Sequence, residues 1–319
     1  METPTIGIII INWNSFELTH DCLKSLENVH YRAISVILVD NDSSDNSLEL
    51  LKTAHPWIVT VENTRNLGFT GGNNSGIRKA LELGCDYVML LNNDTKVEPD
   101  FLNILLAKIE SDSSIGAVQP KIYYESDRNV IWNAGGKYNP LFTRPTPIGE
   151  NKIDDGSYET TKPTDWITGC AFLIRSSVVK EVGLTSELYF YGCFDDVDYS
   201  MEIRKKGYQL YFCADSKVYH AVGMASKSEK ENPEGVLKPF FHYLATRNNW
   251  FFIRRHVKSI YIIPTLIYQI YSFLGHIAYF TFKRRFRKLR AYLHGFFHGF
   301  TKPLDESKLN HISYIQLYK

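Results

Sequence analysis

Tyr87-Val88-Met89-Leu90-Leu91-Asn92-Asn93-Asp94 is the stretch from which the fold is read. Five large apolar residues in a row fit a short strand buried on both faces, and the polar triplet marks its end. The same pattern recurs toward the N-terminus. Ile6 to Ile11 is a β-branched run that ends at Asn12, and Val36 to Val39 ends at Asp40. That second strand opens into Asp40-Asn41-Asp42-Ser43-Ser44-Asp45, where Ser44 or Asp45 can cap the next helix. Ile58 to Val61 runs out toward Asn63 to Asn66. Between these runs, Leu18, Cys22, Leu23 and Leu26 follow helical spacing, and the glycine- and asparagine-rich Gly68 to Gly76 leads into a helix through Leu83. Buried strands alternating with amphipathic helices predict right-handed βαβ units: an α/β fold with a Rossmann-like, mainly parallel sheet and flanking helices. Such sheets bind ligands beyond the carboxyl ends of their strands. Asn12, Asp40, Asn63 to Asn66 and Asn92 to Asp94 all fall at that edge.

Toward the C-terminus the reading predicts a strand from Ile115 to Tyr124, a long irregular loop from Asn133 to Tyr158, and a strand from Trp166 to Arg175. A short helix follows over Ser176 to Val182, then a helix over Asp195 to Lys206 and a strand over Tyr208 to Cys213. With 44% apolar and 22% charged residues, the chain can bury a sizeable core. A net charge of +1 gives no global field for nucleic acid, so no nucleic-acid partner is expected. The five cysteines (Cys22, Cys85, Cys170, Cys193 and Cys213) form no CxxC pair, which argues against a disulfide framework or zinc site and for a reducing interior. The first residues enter a strand without an apolar leader, so no signal peptide is expected.

Three polar groups carry chemistry. An aspartate just past a strand, as in Asn92-Asn93-Asp94, can ligate a hard divalent cation that holds substrate phosphates; a capped turn gives the same pattern. Asp195-Asp196-Val197-Asp198 can cap a helix, or supply a general base whose pKa a neighbouring carboxylate raises. His220, in Val218-Tyr219-His220, can be structural or a ligand.

Taken in order, the motifs resemble those of family 2 glycosyltransferases of the GT-A fold, in the bacterial rhamnosyltransferase-like branch. They are Ile10-Ile11-Asn12-Trp13-Asn14, Val39-Asp40-Asn41-Asp42-Ser43-Ser44-Asp45, and Asn66-Leu67-Gly68-Phe69-Thr70-Gly71-Gly72-Asn73-Asn74-Ser75-Gly76. Leu91-Asn92-Asn93-Asp94, Trp166-Ile167-Thr168-Gly169, Asp195-Asp196-Val197-Asp198, Arg204, Gly207 and His220 complete the series. The resemblance covers about residues 5 to 255. It implies that Asp40 reads the nucleobase and that Asn66 and Asn74 line the nucleotide, with Asn12, Asn14, Asp42, Gly68 and Asn93 in the same donor set. It implies Asp94 and His220 as ligands of Mg²⁺ or Mn²⁺, Asp196 as catalytic base with Asp195 beside it, and Trp166 and Gly169 beside the sugar and acceptor. One position departs from the family's DxD pattern: Asn92 stands where the first aspartate would be, so the metal is expected to arrive with the donor diphosphate. The implied activity is inverting transfer of a sugar from a nucleotide-diphosphate donor, dTDP-rhamnose-like, to a hydroxyl of a polyprenyl-linked saccharide in cell-surface polysaccharide biosynthesis. A non-catalytic, membrane-attached saccharide- or nucleotide-binding protein on the same fold is the alternative, against which Asp94, Asp196 and His220 stand together. No GxGxxG follows the first strand, which argues against a dinucleotide-dependent oxidoreductase.

The expected division is a catalytic domain over residues 1–255, with a nucleotide-binding half to about 95 and an acceptor half from 96, and a helical segment over 256–319. Ser259 to Phe282 contains 24 residues without Asp, Glu, Lys or Arg. As a helix it would span about 36 Å, enough for a bilayer core. Pro264, Gln269, His276 and four tyrosines interrupt it, and Lys283, Arg284, Arg285, Arg287, Lys288 and Arg290 follow. Phe286, Leu289, Leu293, Phe297 and Phe300 recur at helical spacing through that basic cluster. This predicts an amphipathic helical segment lying on anionic lipid at the cytoplasmic face of the membrane, peripheral or monotopic. A true span, or a helical pair packed on the catalytic domain or on a second copy in a homo-oligomer, are the alternatives.

Overall fold

The computed structural model describes residues 3–222 and 237–309. The outer ends of both expected divisions, and residues 223–236 within the first, lie outside the described residues. The chain divides into two compact units. One comprises residues up to 137, 146–185 and 195–222; the other comprises 138–145, 186–194 and the chain beyond 222.

The first unit opens with β1 (Ile6–Asn12), α1 (Phe16–Leu26), β2 (Ile34–Asp40), α2 (Ser47–Ala54), β3 (Val59–Glu62), α3 (Gly68–Glu82) and β4 (Tyr87–Leu91). The four strands lie in the order β4-β1-β2-β3 and are all parallel, as the alternation predicts. Their side chains feed two cores. Ile6, Ile8 and Ile10 meet Cys22, Leu23 and Leu26 of α1, whereas Ile9 packs with Ile77 and Ala80 of α3. Each of these isoleucine and leucine side chains, removed from water, contributes about 1.5–3 kcal/mol.

The glycine- and asparagine-rich stretch does not lead into a helix; it is the first half of α3. Its glycines are what let the helix lie flat on the sheet. A Cβ at Gly76 would sit 2.3 Å from Cγ2 of Ile9, and one at Gly72 3.1 Å from Cδ1 of Ile11. The close approach of helix to strand outweighs the low helix propensity of glycine.

The chain continues through β5 (Thr95–Val97), α4 (Phe101–Glu110), β6 (Ile115–Tyr124), β7 (Asp127–Asn133), β8 (Gly136–Asn139), β9 (Arg144–Pro147), β10 (Lys152–Ile153), β11 (Lys162–Thr164), β12 (Ala171–Arg175), α5 (Ser176–Val182), α6 (Asp195–Lys205) and β13 (Gln209–His220). β12 enters antiparallel between β4 and β6, and β13 runs parallel to β6 and antiparallel to β5. Three expectations are corrected here. Asn133 to Tyr158 is not one irregular loop, because it carries β8, β9 and β10. The strand expected from Trp166 is confined to Ala171–Arg175. The N–H groups of Ile167, Thr168 and Gly169 bond instead to the side chains of Ser200, Gln119 and Asp196. The strand expected to end at Cys213 continues to His220 across an irregularity between Cys213 and Lys217, which breaks the alternation a sequence reading relies on.

Among the described residues, the second unit is mainly three helices, α7 (Pro239–His256), α8 (Ile262–Phe282) and α9 (Phe286–Thr301). Pro264 sits in the first turn of α8, where no intrahelical donor is lost. α9 packs on α7 through Ala291, Gly295 and Gly299: a Cβ at Gly295 would meet the Tyr243 carbonyl oxygen at 2.4 Å, and one at Gly299 that of Arg247 at 2.6 Å. Phe286, Phe297 and Phe300 are left exposed. α8 is likewise inverted relative to a soluble helix. Thr265 (1% exposed) and Gln269 (8%) are buried, bonded to Thr143 and Asn249, while Ile263 (71%) and Ile267 (64%) face outward.

Candidate functional site

Parallel pairing brings the polar strand ends to one edge of the sheet. Asn12 at the end of β1 stands in register with Asp40 at the end of β2, and Asp40 with Glu62 of β3. Asp40 is buried and fixed from three sides. Its Oδ1 accepts from the Ser43 hydroxyl at 2.6 Å and from Asn12 Nδ2 at 3.0 Å, and its Oδ2 accepts from the Ser43 N–H at 3.0 Å. Asn12 is fully buried; its amide also reaches Ser47 Oγ at 2.8 Å, and its Oδ1 accepts from Thr19 at 3.0 Å. Asn12 therefore holds Asp40 in place and presents little of itself. Asn14 and Asp42 take left-handed backbone angles, φ 50° and 63°, on the rim. Asn14 Oδ1 accepts from the Ser44 N–H at 2.7 Å and so ties the two loops together.

Asn41, which no sequence pattern singled out, is the hub of this edge. Its amide nitrogen donates to Asn66 Oδ1 (3.2 Å) and to the Gly68 carbonyl (2.9 Å), and its oxygen accepts from Asn63 (3.1 Å) and from the Leu67 N–H (3.0 Å). Asn66 also accepts from the Gly68 N–H at 2.8 Å, so the loop before α3 is held by side-chain bonds at its start. Asn74 lies elsewhere. It is buried, and its amide pairs with Thr185 through Nδ2 to the carbonyl (2.9 Å) and Oδ1 from the N–H (3.1 Å) and hydroxyl (2.8 Å).

A second cluster sits past β4. His220, the last residue of β13, pairs with Thr95 of β5, and the Ala221 N–H donates to the Asp94 carbonyl at 2.9 Å. This places His220 Nε2 3.0 Å from Asp94 Oδ1 and 3.4 Å from the Asn92 amide nitrogen. The Trp132 ring stands edge-on to the imidazole at 4.5 Å, and Asn93 donates to Thr19 at 2.9 Å. The carboxylate–imidazole spacing suits a hydrogen bond, and it equally suits adjacent ligands about 2.1 Å from one small octahedral cation. The buried Asn92 Oδ1 and His220 Nδ1 have no hydrogen-bond partner among the described residues, an unsatisfied polarity beside that pair. These residues fit a divalent ion.

The third cluster opens α6. Asp196 Oδ2 accepts from the Gly169 N–H at 3.0 Å, and its Oδ1 from the Val197 N–H at 2.8 Å. Burial raises the Asp196 carboxyl above the ordinary carboxylate range, against the pull of those bonds. Burial, and then the charge of Asp196, raise Asp195 well above it. Gly169 also has the Phe69 ring nearby, 3.6 Å from where its Cβ would stand. The clusters are connected: the residue after Gly169, Cys170, accepts at its carbonyl from the Asn92 N–H at 2.9 Å. The Cys170 thiol is pushed well up by burial and then by the charges of Asp94, Cys22 and Asp196. Trp166 does not join them. It is 7% exposed, its indole N–H donates to the Lys137 carbonyl at 3.2 Å, and its ring lies on Gly136, so almost none of it is left for a sugar. Gln119 and Ser200, which hold Thr168 and Ile167, escaped the sequence reading because an isolated buried polar residue carries no spacing signal.

Comparison with known proteins gives the family and the fold. The family model described as glycosyl transferase family 2 matches residues 7–183. A low-salt glycan biosynthesis hexosyltransferase of Haloferax volcanii is 26% identical over 219 residues, 65% of this chain and 64% of that protein. An N-acetylglucosaminyl-diphospho-decaprenol L-rhamnosyltransferase of Mycobacterium tuberculosis is 23% identical over 240 residues, 68% of this chain and 76% of that protein. Among solved structures, a mannosyltransferase of Pyrobaculum calidifontis in complex with GDP-Man and Mn²⁺ superposes with a TM-score of 0.56 at 16% identity, spanning 100% of this chain and 82% of that one. The fold is GT-A, and the chain belongs to glycosyl transferase family 2.

Proposed function

We propose that this family 2 member is an inverting glycosyltransferase that moves a sugar from a nucleotide-diphosphate donor to a hydroxyl of a lipid-linked saccharide at the cytoplasmic face of the membrane. The observation that carries the reading is the joining of base and metal motif through one peptide: Gly169 fixes Asp196, and Cys170 fixes Asn92. Asp40, held by Asn12 and Ser43, reads the base, and the loops braced by Asn14, Asn41 and Asn66 line the nucleotide beside Asp42, Gly68 and Asn93. Asn74 acts one step back, by docking α3 on Thr185. Asp94 and His220 would hold Mg²⁺ or Mn²⁺, which supplies Lewis-acid stabilisation for the charge growing on the leaving diphosphate. Asp196 takes the proton of the acceptor hydroxyl as that oxygen attacks the anomeric carbon, and its raised pKa improves it as a base. A dTDP-rhamnose-like donor is favoured by the mycobacterial relative, whose name is that of an L-rhamnosyltransferase.

The outward apolar faces of α8 and α9, with polar residues turned inward and the basic cluster running from the α8–α9 turn into α9, favour lipid as their surroundings. The test is to present dTDP-, UDP- and GDP-sugars to the full chain with Mn²⁺. One donor class should stabilise the fold only with metal, by RT ln(1 + [L]/Kd) in free energy, seen as a raised melting temperature, and release nucleoside diphosphate. Absence of both effects for every donor would overturn the proposal.

A further inference from the structure

Three side chains that have no part in the proposed transfer form a chain between α1 and α2. His20 lies midway along α1, Glu27 caps the C-terminus of that helix, and His55 caps the C-terminus of α2. His55 Nδ1 lies 3.1 Å from Glu27 Oε1, and His55 Nε2 lies 3.0 Å from His20 Nδ1. Aromatic neighbours hold both rings. Phe16 stacks on His20 with centroids 5.3 Å apart, and Trp57 stands edge-on to His55 at 5.8 Å. His55 is 2% exposed, His20 is half-buried, and Glu27 and Trp57 are exposed, so the cluster runs from the interior to the surface.

The carboxylate at one end dictates where the protons lie. An ionised carboxylate only accepts, so the proton of a neutral His55 sits on Nδ1, and its Nε2 carries a lone pair aimed at His20. Burial holds His55 below the ordinary imidazole range, against the pull of Glu27, and so keeps it neutral. An imidazole anchored on a carboxylate through one nitrogen and presenting a lone pair on the other has the form of a metal-ligating histidine. Two nitrogens that are each about 2.0–2.1 Å from one ion stand about 2.8–3.4 Å apart, for bond angles from square to tetrahedral. The 3.0 Å between His55 Nε2 and His20 Nδ1 falls in that range. We infer that His20 and His55 form a binding site for a divalent transition cation of the zinc class, with Glu27 orienting His55 from behind and water completing the coordination. On binding, the proton of His20 passes through solvent from Nδ1 to Nε2, and the ion replaces the hydrogen bond between the rings. The ion then ties the end of α2 to α1. The site uses no cysteine, so the lack of a CxxC pair does not bear on it. It also stands apart from the transfer reading, whose ion is held by Asp94 and His220.

The test uses the full, untagged chain without nucleotide sugar, titrated with Zn²⁺ or with Mn²⁺ and followed by melting temperature and calorimetry. Zn²⁺ should raise the melting temperature, and Mn²⁺ should do so far less, because imidazole sites favour the later metals of the series. His20→Gln removes one ligand at a half-buried position and should abolish the Zn²⁺ effect. Glu27→Gln is exposed and leaves both ligand nitrogens in place, so it tests the site without disturbing the core. It should weaken Zn²⁺ binding about 10–100-fold, the usual cost of losing the carboxylate behind a ligating histidine. Asp94→Ala should leave the Zn²⁺ effect intact. No stabilisation of the wild type by Zn²⁺, or one that survives His20→Gln undiminished, would overturn the site. Loss of the effect in Asp94→Ala would place the ion at the other cluster and overturn it equally. Equal Zn²⁺ affinity in the wild type and Glu27→Gln would overturn the role given to Glu27.

Discussion

Asp195 and Asp196 are two carboxyls in one buried turn, and their protons come off in steps that belong to the pair. Both pKa values lie above the ordinary 3.8, chiefly through burial. For a carboxyl raised in the folded state, the favourable contribution is complete below the unfolded pKa and is lost as pH rises through the folded value. Asp195→Asn should therefore gain stability relative to wild type as pH is raised from 4 to 7, read from melting temperatures; a difference independent of pH would contradict the burial of that carboxyl. At the other cluster, Asp94→Ala should abolish Mn²⁺-dependent donor stabilisation, as calorimetry with and without the ion will show. Unchanged metal dependence would remove Asp94 from the ligand set. These residues were legible because each stands just past a predicted strand or opens a predicted helix. Asn12 and Asn74 were legible only as polar residues in motifs; their burial against Asp40 and Thr185 depends on chain segments far away in sequence.

Among the elements, α3 shows how packing overrules propensity. Gly76→Ala improves the intrinsic helix preference by about 1 kcal/mol but drives a methyl into Ile9, and overpacking of this kind costs about 1–3 kcal/mol. A net loss of stability is expected, read from a denaturant midpoint. A gain would mean that the helix does not lie as close to β1 as described. Gly299→Ala should cost more, because the obstructing atom is the Arg247 carbonyl oxygen, which cannot rotate away as a side chain can. The βαβ half was readable from its periodicity, since each of its strands is short and uninterrupted. β13 was not, since its irregularity shifts the alternation by which a strand is recognised. Trp166 to Cys170 was misjudged for another reason: the segment is apolar and buried like a strand, yet side chains rather than a neighbouring strand take its N–H groups.

At the scale of the whole molecule, the parallel half supplies the polar edge at which we propose the nucleotide binds, and the antiparallel additions bring up the other two clusters. β12 carries the Gly169–Cys170 peptide to β4, and β13 delivers His220 to Asp94. The helices of the second unit turn apolar side chains outward, a surface that suits lipid better than water. The central claim is that Asp196 is the base of a metal-dependent transfer, and the most direct test compares Asp196→Asn with the wild type on the same donor and acceptor. A positioned base contributes about 10²–10⁴-fold. The account predicts a fall in kcat of that size with metal-dependent donor binding nearly intact. Transfer at the wild-type rate by Asp196→Asn would contradict it.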